Sequence, residues 1–198
     1  MRLLSRLHLR LLILITLCFT SGLIGPKAAK ADWDRFEISL YTGITEIVKL
    51  GQTQKTITEN SKFKFTTLEI NKNEEIKRSG IVSGIDFESK GITIFFKATG
   101  STLIVLKPPF HGTIKGKNIQ IFDTEKPAGM NWEDFVVKTF GEPEAKRNGG
   151  RIVGDVFYYA WGDIQFGPTG FRKFMLYRDK AIRNYREATQ LEPTNLLD

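Results

Sequence analysis

Cysteine and histidine are almost missing from this chain: of 198 residues one is Cys, at position 18, and two are His, at 8 and 111. Cys18 and His8 fall in the first 31 residues, a stretch expected to be removed, so the remainder holds no cysteine and His111 alone. Without thiols no disulfide staples the fold, and a chain working outside the cytoplasm must be held by its core. A Ser-His or Cys-His nucleophile pair needs an imidazole, and His111, between Pro109-Phe110 and Gly112, reads as a loop residue. Structural zinc sites draw on several Cys or His ligands, so no metal is expected, and no other cofactor either. The patterns G-x-S-x-G, H-E-x-x-H and G-x-x-x-x-G-K-[ST] are absent. Paired carboxylates stay open, because 22 Asp and Glu are present. Glu133 and Asp134 sit side by side at a helix start, where the positive helix end accounts for them without catalysis.

Long apolar runs are scarce too. The clearest, Leu11 to Ile24, follows Arg2, Arg6 and Arg10 and precedes Ala29-Lys30-Ala31. A basic start, an apolar middle and a small-x-small site describe a secretory signal peptide over residues 1–31, with Asp32 as the mature start. The run is shorter than the roughly 20 residues a bilayer span needs, and Leu17 stands where a lipoprotein signal carries a small residue before its Cys. The expected location is therefore periplasmic or secreted. Lysine and arginine number 29, but five lie in the leader, leaving 24 basic against 22 acidic residues. The basic excess is largely an export signal, so no nucleic-acid partner follows from it.

Two stretches dominate what remains. Gly91 to Pro109 and Gly162 to Asp179 match, seventy positions apart, at Ile94/Ile164, Phe96/Phe166, Thr99/Thr169, Gly100/Gly170 and Leu106/Leu176. Each reads as strand, Gly-containing turn and strand, a hairpin written twice. Thr102 to Leu106 is apolar at nearly every position, which predicts a central strand covered on both faces. Alternation predicts strands at Phe36 to Tyr41 and from Phe63 to Ile70, and Asn71 to Glu75 reads as a loop. Thr53 caps a short predicted helix to Glu59. A second helix, Trp132 to Phe140, has Asn131 as its cap, acids in the first turn, Gly141 after it and Pro143 beyond. Phe110 to Asn118 reads as a basic, Gly-punctuated connector and Asn148-Gly149-Gly150 as a turn, and Ile152, Val153, Val156, Phe157, Tyr158, Tyr159 and Trp161 precede the second hairpin. In the tail, 180–198, Lys180, Arg183 and Arg186 lie on one side and Ile182, Tyr185 and Ala188 or Leu191 on another, with Pro193 as a stop.

The order of short helix, Leu-Gly or Phe-Gly-x-Pro stop, aromatic strand and hairpin is carried by Ile47 to Thr53, by Trp132 to Pro143 and by Tyr158-Tyr159-Ala160-Trp161-Gly162. It resembles the helix-then-sheet repeat of the β-lactamase-inhibitor-protein and SmpA/OmlA outer-membrane-assembly families. The first unit differs by a long insertion before its hairpin, and the mature chain lacks the lipid-bearing Cys of the assembly lipoproteins. The resemblance implies an α+β fold of two related units, each a short helix packed on an antiparallel sheet, spanning 32–122 and 123–179. It further implies a module that binds another envelope or extracellular protein through a sheet face, without chemistry of its own, as an inhibitor or assembly accessory. The alternatives are a carboxylate-dependent envelope hydrolase and a small-ligand or lipid carrier.

Candidate contacts come from the aromatic-rich end of the chain. Alternation divides its rings between two faces, and Tyr159, Trp161, Phe171 and Tyr177 are expected on an outer face as anchors. Arg172, Lys173, Arg183 and Arg186 would steer an acidic partner or touch anionic membrane peripherally.

Overall fold

β-Branched and aromatic residues at alternating positions build mostly strands here. The computed structural model describes residues 36–70, 79–117 and 119–178, apart from the side chains at 151 and 152. The expected leader, the 71–75 loop and the 180–198 tail lie outside the described residues. The chain divides into two units, Met1–Trp33 and Asp34–Asp198, and the described residues belong to the second. No described helix is long and apolar enough to cross a membrane.

The class is α+β, with mostly antiparallel sheets. A small sheet joins β1 (Phe36–Ser39), β2 (Gly43–Ile44), β3 (Val48–Lys49), β8 (Gly112–Ile114) and β9 (Gln120–Ile121) in the order β3-β2-β1-β8-β9. Its β1 and β8 run parallel, Phe36 facing Gly112 and Ile38 facing Ile114. The large sheet has eight antiparallel strands in the order β10-β11-β12-β13-β7-β6-β5-β4. They are β4 (Thr66–Leu68), β5 (Ser83–Phe87), β6 (Ile92–Lys97), β7 (Gly100–Leu106), β10 (Ala145–Arg147), β11 (Asp155–Tyr159), β12 (Gly162–Gly167) and β13 (Gly170–Tyr177). The two hairpins, β6–β7 and β12–β13, lie side by side, joined by β7 and β13 from Leu106 against Phe174 to Leu103 against Tyr177. Every residue of β7 is buried, as its unbroken apolar run requires of a strand covered on both faces. Both hairpins turn on glycine: Gly100 and Gly170 hold φ of 110° and 145°, where a side chain would be strained.

Local chemistry also sets the helices, α1 (Gln54–Asn60), α2 (Trp132–Phe140) and the single turn α3 (Gly150–Val153). The Thr53 hydroxyl accepts from the Thr56 N–H at 3.2 Å to start α1, which buries Ile57. Asn131 Oδ1 accepts from the Asp134 N–H at 2.7 Å to start α2, and the Gly141 N–H closes its end on the Val137 carbonyl at 2.8 Å. The spacing of Trp132, Phe135 and Val136 turns one stripe of α2 inward. Three segments take their form from more than local pattern. Gly112 to Ile114 is strand β8, because the connector edge pairs with β1. Ile152 and Val153 belong to α3, so strand begins only at Asp155. Only Thr66 to Leu68 of the Phe63–Ile70 run pairs, with β5.

The main core fills the space between one face of the large sheet and the helices and small sheet. Ile38, Ile44, Val48, Ile114 and Ile121 meet it from the small sheet, Ile57 from α1, and Trp132, Phe135 and Val136 from α2. They pack on Ile85, Ile94, Ile104, Ile164, Phe174 and Leu176 of the large sheet. A second apolar cluster, with Ile70, Ile81, Phe95, Leu103, Val105, Met175 and Tyr177, occupies the opposite face.

Candidate functional site

Two bulges decide which side chains reach that opposite face. Along β12–β13, Ile164 faces Phe174 and Gln165 faces Lys173, but Phe166 then faces Phe171, so Arg172 is an extra residue. Along β6–β7, Phe95 faces Leu103 and Phe96 faces Ser101, which makes Thr102 the extra one. An inserted residue shifts the alternation beyond it by one. Phe171 and Phe174 therefore both point to the helix side, while Met175 and Tyr177 point away.

That parity change corrects Phe171 as an expected anchor, and burial under α2 corrects Tyr159 and Trp161. Tyr159 and Trp161 are 4 % exposed and Phe171 is 7 % exposed, all three in the main core beneath α2. Tyr159 and Trp161 stack with ring centres 5.0 Å apart and planes 11° from parallel. Phe140 of α2 lies 6.3 and 5.9 Å from them, and Trp132 meets Phe171 at 5.2 Å. The Tyr159 hydroxyl donates to the Gly141 carbonyl at 3.2 Å, tying strand to helix end. Burial, helped by the charge of Glu142, pushes its pKa far above the usual tyrosine value, so it stays protonated at any physiological pH. These rings build the domain and present no exposed anchor. Tyr177 lies on the other face and is only 6 % exposed, so it too is no open anchor. Arg172 is half-buried, its guanidinium packed beside Gly167. Lys173 is buried, and Arg183 and Arg186 lie outside the described residues.

The second face mixes apolar and polar groups in one layer. Its centre is Leu103 and Val105 of β7 with Met175 and Tyr177 of β13. Asp163 and Gln165 lie beside it on β12, and register places Val156 and Tyr158 of β11 next in line. On the other flank stand Phe95 and Thr93, with Asp86 beyond. Asp163 is fully buried and accepts from the Tyr177 hydroxyl at 2.5 Å. Gln165 donates to the Val153 carbonyl at 2.6 Å, and Thr93 to Asp86 at 2.6 Å. None of Asp163, Lys173, Met175 or Tyr177 is without a partner. Burying a carboxylate is costly unless it is hydrogen-bonded, and the Tyr177 hydroxyl supplies such a bond to Asp163 on this face. A strand pair built only for packing would carry hydrocarbon there.

Other charged groups are already engaged in structure. Glu133 pairs with Lys146 at 2.9 Å, tying α2 to β10, and that hydrogen bond leads the causes that raise the Lys146 pKa. Asp134 accepts from the Asn131 amide at 2.9 Å within the cap. His111 Nδ1 lies 2.7 Å from Asp123 Oδ2 on the connector next to β8. Among the described residues no three His, Cys, Asp or Glu cluster as metal ligands would. An open groove of about 810 Å³ at the start of α2 is lined by Met130, Trp132, Glu133, Asp155, Phe166 and Pro168, among others.

No family model, curated protein or solved structure matches this chain. The second sheet face is thus a candidate on its geometry alone. Asp163 and Gln165, on either side of Ile164, escaped the sequence reading although their alternation was visible there. Polar residues at period two inside an apolar strand mark a face with a separate role.

Proposed function

We propose that the protein is an exported, non-catalytic protein-binding module acting through the second face of its large sheet, as an inhibitor or envelope-assembly accessory. The carrying observation is the composition of that face: Tyr158, Asp163, Gln165, Lys173 and Tyr177 around a centre of Leu103, Val105 and Met175. Tyrosines and charged groups on rigid strands, next to apolar area, are what a recognition surface uses. The leader pattern supports export, and the partner is an envelope or extracellular protein.

The reading includes descent of the fold from two related units. The run β4 to β7 with α1 and the run β10 to β13 with α2 occupy the large sheet in mirrored order about the β7–β13 seam. Both hairpins carry their register shift at corresponding places, Phe95/Phe96 and Gln165/Phe166, seventy positions apart. A second functional reading, a small-ligand carrier, draws on the groove at α2, whose volume is within the range of small-molecule sites.

Affinity capture from the native envelope, with the chain from Asp32 onward as bait, tests the binding role. One stoichiometric protein partner is expected, and Lys173→Glu should weaken its capture by about tenfold or more, as for a charge reversal at an interface. Glu37→Lys, on the small sheet, should leave capture unchanged. No specific partner, or equal capture by the Lys173→Glu chain, contradicts the proposal.

A further inference from the structure

The two halves of the large sheet differ at the foot of their helices. Helix α1 starts at Gln54 behind its cap Thr53, and α2 at Trp132 behind its cap Asn131. By register Ser83, which faces Phe96, corresponds to Asp155, which faces Phe166. In the first half this place is bonded shut. The Ser83 hydroxyl donates to Gln54 Oε1 at 2.6 Å, the Gly51 N–H to the Ser101 carbonyl at 2.8 Å, and the Ser101 N–H to the Gln52 carbonyl at 2.7 Å. In the second half, among the described residues, Trp132 and Asp155 share no bond, and neither Gly129 nor Met130 bonds to Phe171. A side chain at Gly100 would begin 2.3 Å from the Gly51 carbonyl oxygen, whereas one at Gly170 would meet the Trp132 ring at 3.6 Å. The indole thus stands where the first half has backbone, and the groove of about 810 Å³ lies between the start of α2, the start of β11 and the β12–β13 turn.

We propose that this groove binds a short zwitterionic peptide with apolar side chains. Its wall and its charges each match one part of such a ligand. Met130, Trp132, Phe166 and Pro168 supply apolar area, and the volume is within the range of small-molecule sites. Lys126, Glu133 and Asp155 are its charged lining residues. Glu133 is held by Lys146 at 2.9 Å, while Asp155 and Lys126 make no hydrogen bond or ion pair among the described residues. An ammonium fits the free carboxylate, a carboxylate fits the free lysine, and both bonds are of the strong charge-assisted kind. A purely cationic ligand would meet Lys126 as a like charge, and a purely anionic one would meet Asp155.

The inference rests on the small-ligand reading of the groove and deepens it by naming the ligand's chemistry. Replacing the Gln54–Ser83 pair by Trp132 and Asp155 removes a bond that closes the first half and puts an aromatic wall and an acid in its place. The binding role of the second sheet face is independent of it.

Isothermal titration of the chain from Asp32 onward with the dipeptides Leu-Phe and Phe-Leu tests the assignment. Each is used free, N-acetylated, amidated at its carboxyl, and blocked at both ends. The free dipeptides should bind saturably. N-acetylation, which removes the ammonium, and Asp155→Asn should each weaken binding about tenfold or more, the loss of one charged hydrogen bond. Amidation and Lys126→Gln should do the same at the other end, and Glu37→Lys should change nothing. The blocked ligands probe the unaltered chain, so a variant that fails to fold does not obscure the result. Doubly blocked dipeptides that bind as tightly as the free ones overturn the zwitterionic class and leave the small-ligand reading standing. Absence of saturable binding by every form overturns both, and partner capture through the second face is read separately.

Discussion

Phe174→Ala is expected to lower the unfolding free energy by about 3 to 5 kcal/mol, the range for deleting a buried ring. Phe174 is fully buried at the meeting point of α2, the β9–α2 connection and the large sheet. Its ring centre lies 5.0 Å from Phe171, 5.7 Å from Phe140 and 6.1 Å from Phe122. On the sheet it faces Ile164 on one side and Leu106 on the other. Removing the ring takes away aromatic contacts from three directions, and a cavity bounded by strands on two sides cannot collapse far. Urea denaturation of the variant and the unaltered chain measures the difference. A loss below about 1 kcal/mol, the usual cost of a minor core change, contradicts this picture of the core.

Gly162→Ala should be as damaging for a different reason. Gly162 opens β12, facing Tyr159 on one side and Leu176 on the other. A Cβ there would stand 1.7 Å from the Met175 carbonyl oxygen and 2.8 Å from its carbon. Those are backbone atoms of the neighbouring strand, so no rotamer change relieves the overlap, and β12 must part from β13 where the second face is held together. The expected cost is about 4 kcal/mol or more, at the exceptional end for one substitution, read as loss of soluble folded protein or a collapsed denaturation midpoint. An alanine variant with near-native stability would show that β12 and β13 lie farther apart.

Much of the fold was legible because its signals are local. The Asn131 cap, the acids of the first turn and Gly141 delimit α2 from within the helix, and the fully apolar Thr102 to Leu106 stretch already required cover on both faces. The hairpins at Gly100 and Gly170 were readable for the same reason, since a tight turn with a positive φ selects glycine. Pairings between distant segments were not readable. Gly112 to Ile114 pairs with the nearby β9 on one edge and on the other with Phe36 to Ile38, a distant segment that runs parallel to it and ties the pair into the small sheet. No local pattern encodes such a partner.

The candidate site failed for two separate reasons. Strict alternation puts Phe171 and Tyr177 on the same face, but the extra residue at Arg172 separates them. Tyr177 goes to the second face and Phe171 to the core beneath Trp132. A bulge leaves little mark in sequence beyond a polar residue at an unexpected step, and Arg172-Lys173 offered two in a row. Tyr159 and Trp161 misled differently. Tyrosine and tryptophan at a strand end resemble exposed anchors, yet α2 lays Phe140 across them and Gly141 takes the Tyr159 hydroxyl hydrogen bond. Lys173 and Tyr177 alone, of the expected contacts among the described residues, belong to the face on which the proposed function rests.

Light-induced cross-linking in the native envelope tests that assignment most directly, with a photoactivatable residue placed at position 173 in one chain and at position 133 in another. Position 173 stands on the second face and Glu133 on α2 behind the sheet. Attachment of one defined envelope protein from 173 and not from 133 is the predicted result; attachment from 133 alone would place recognition on the helix side and contradict the account.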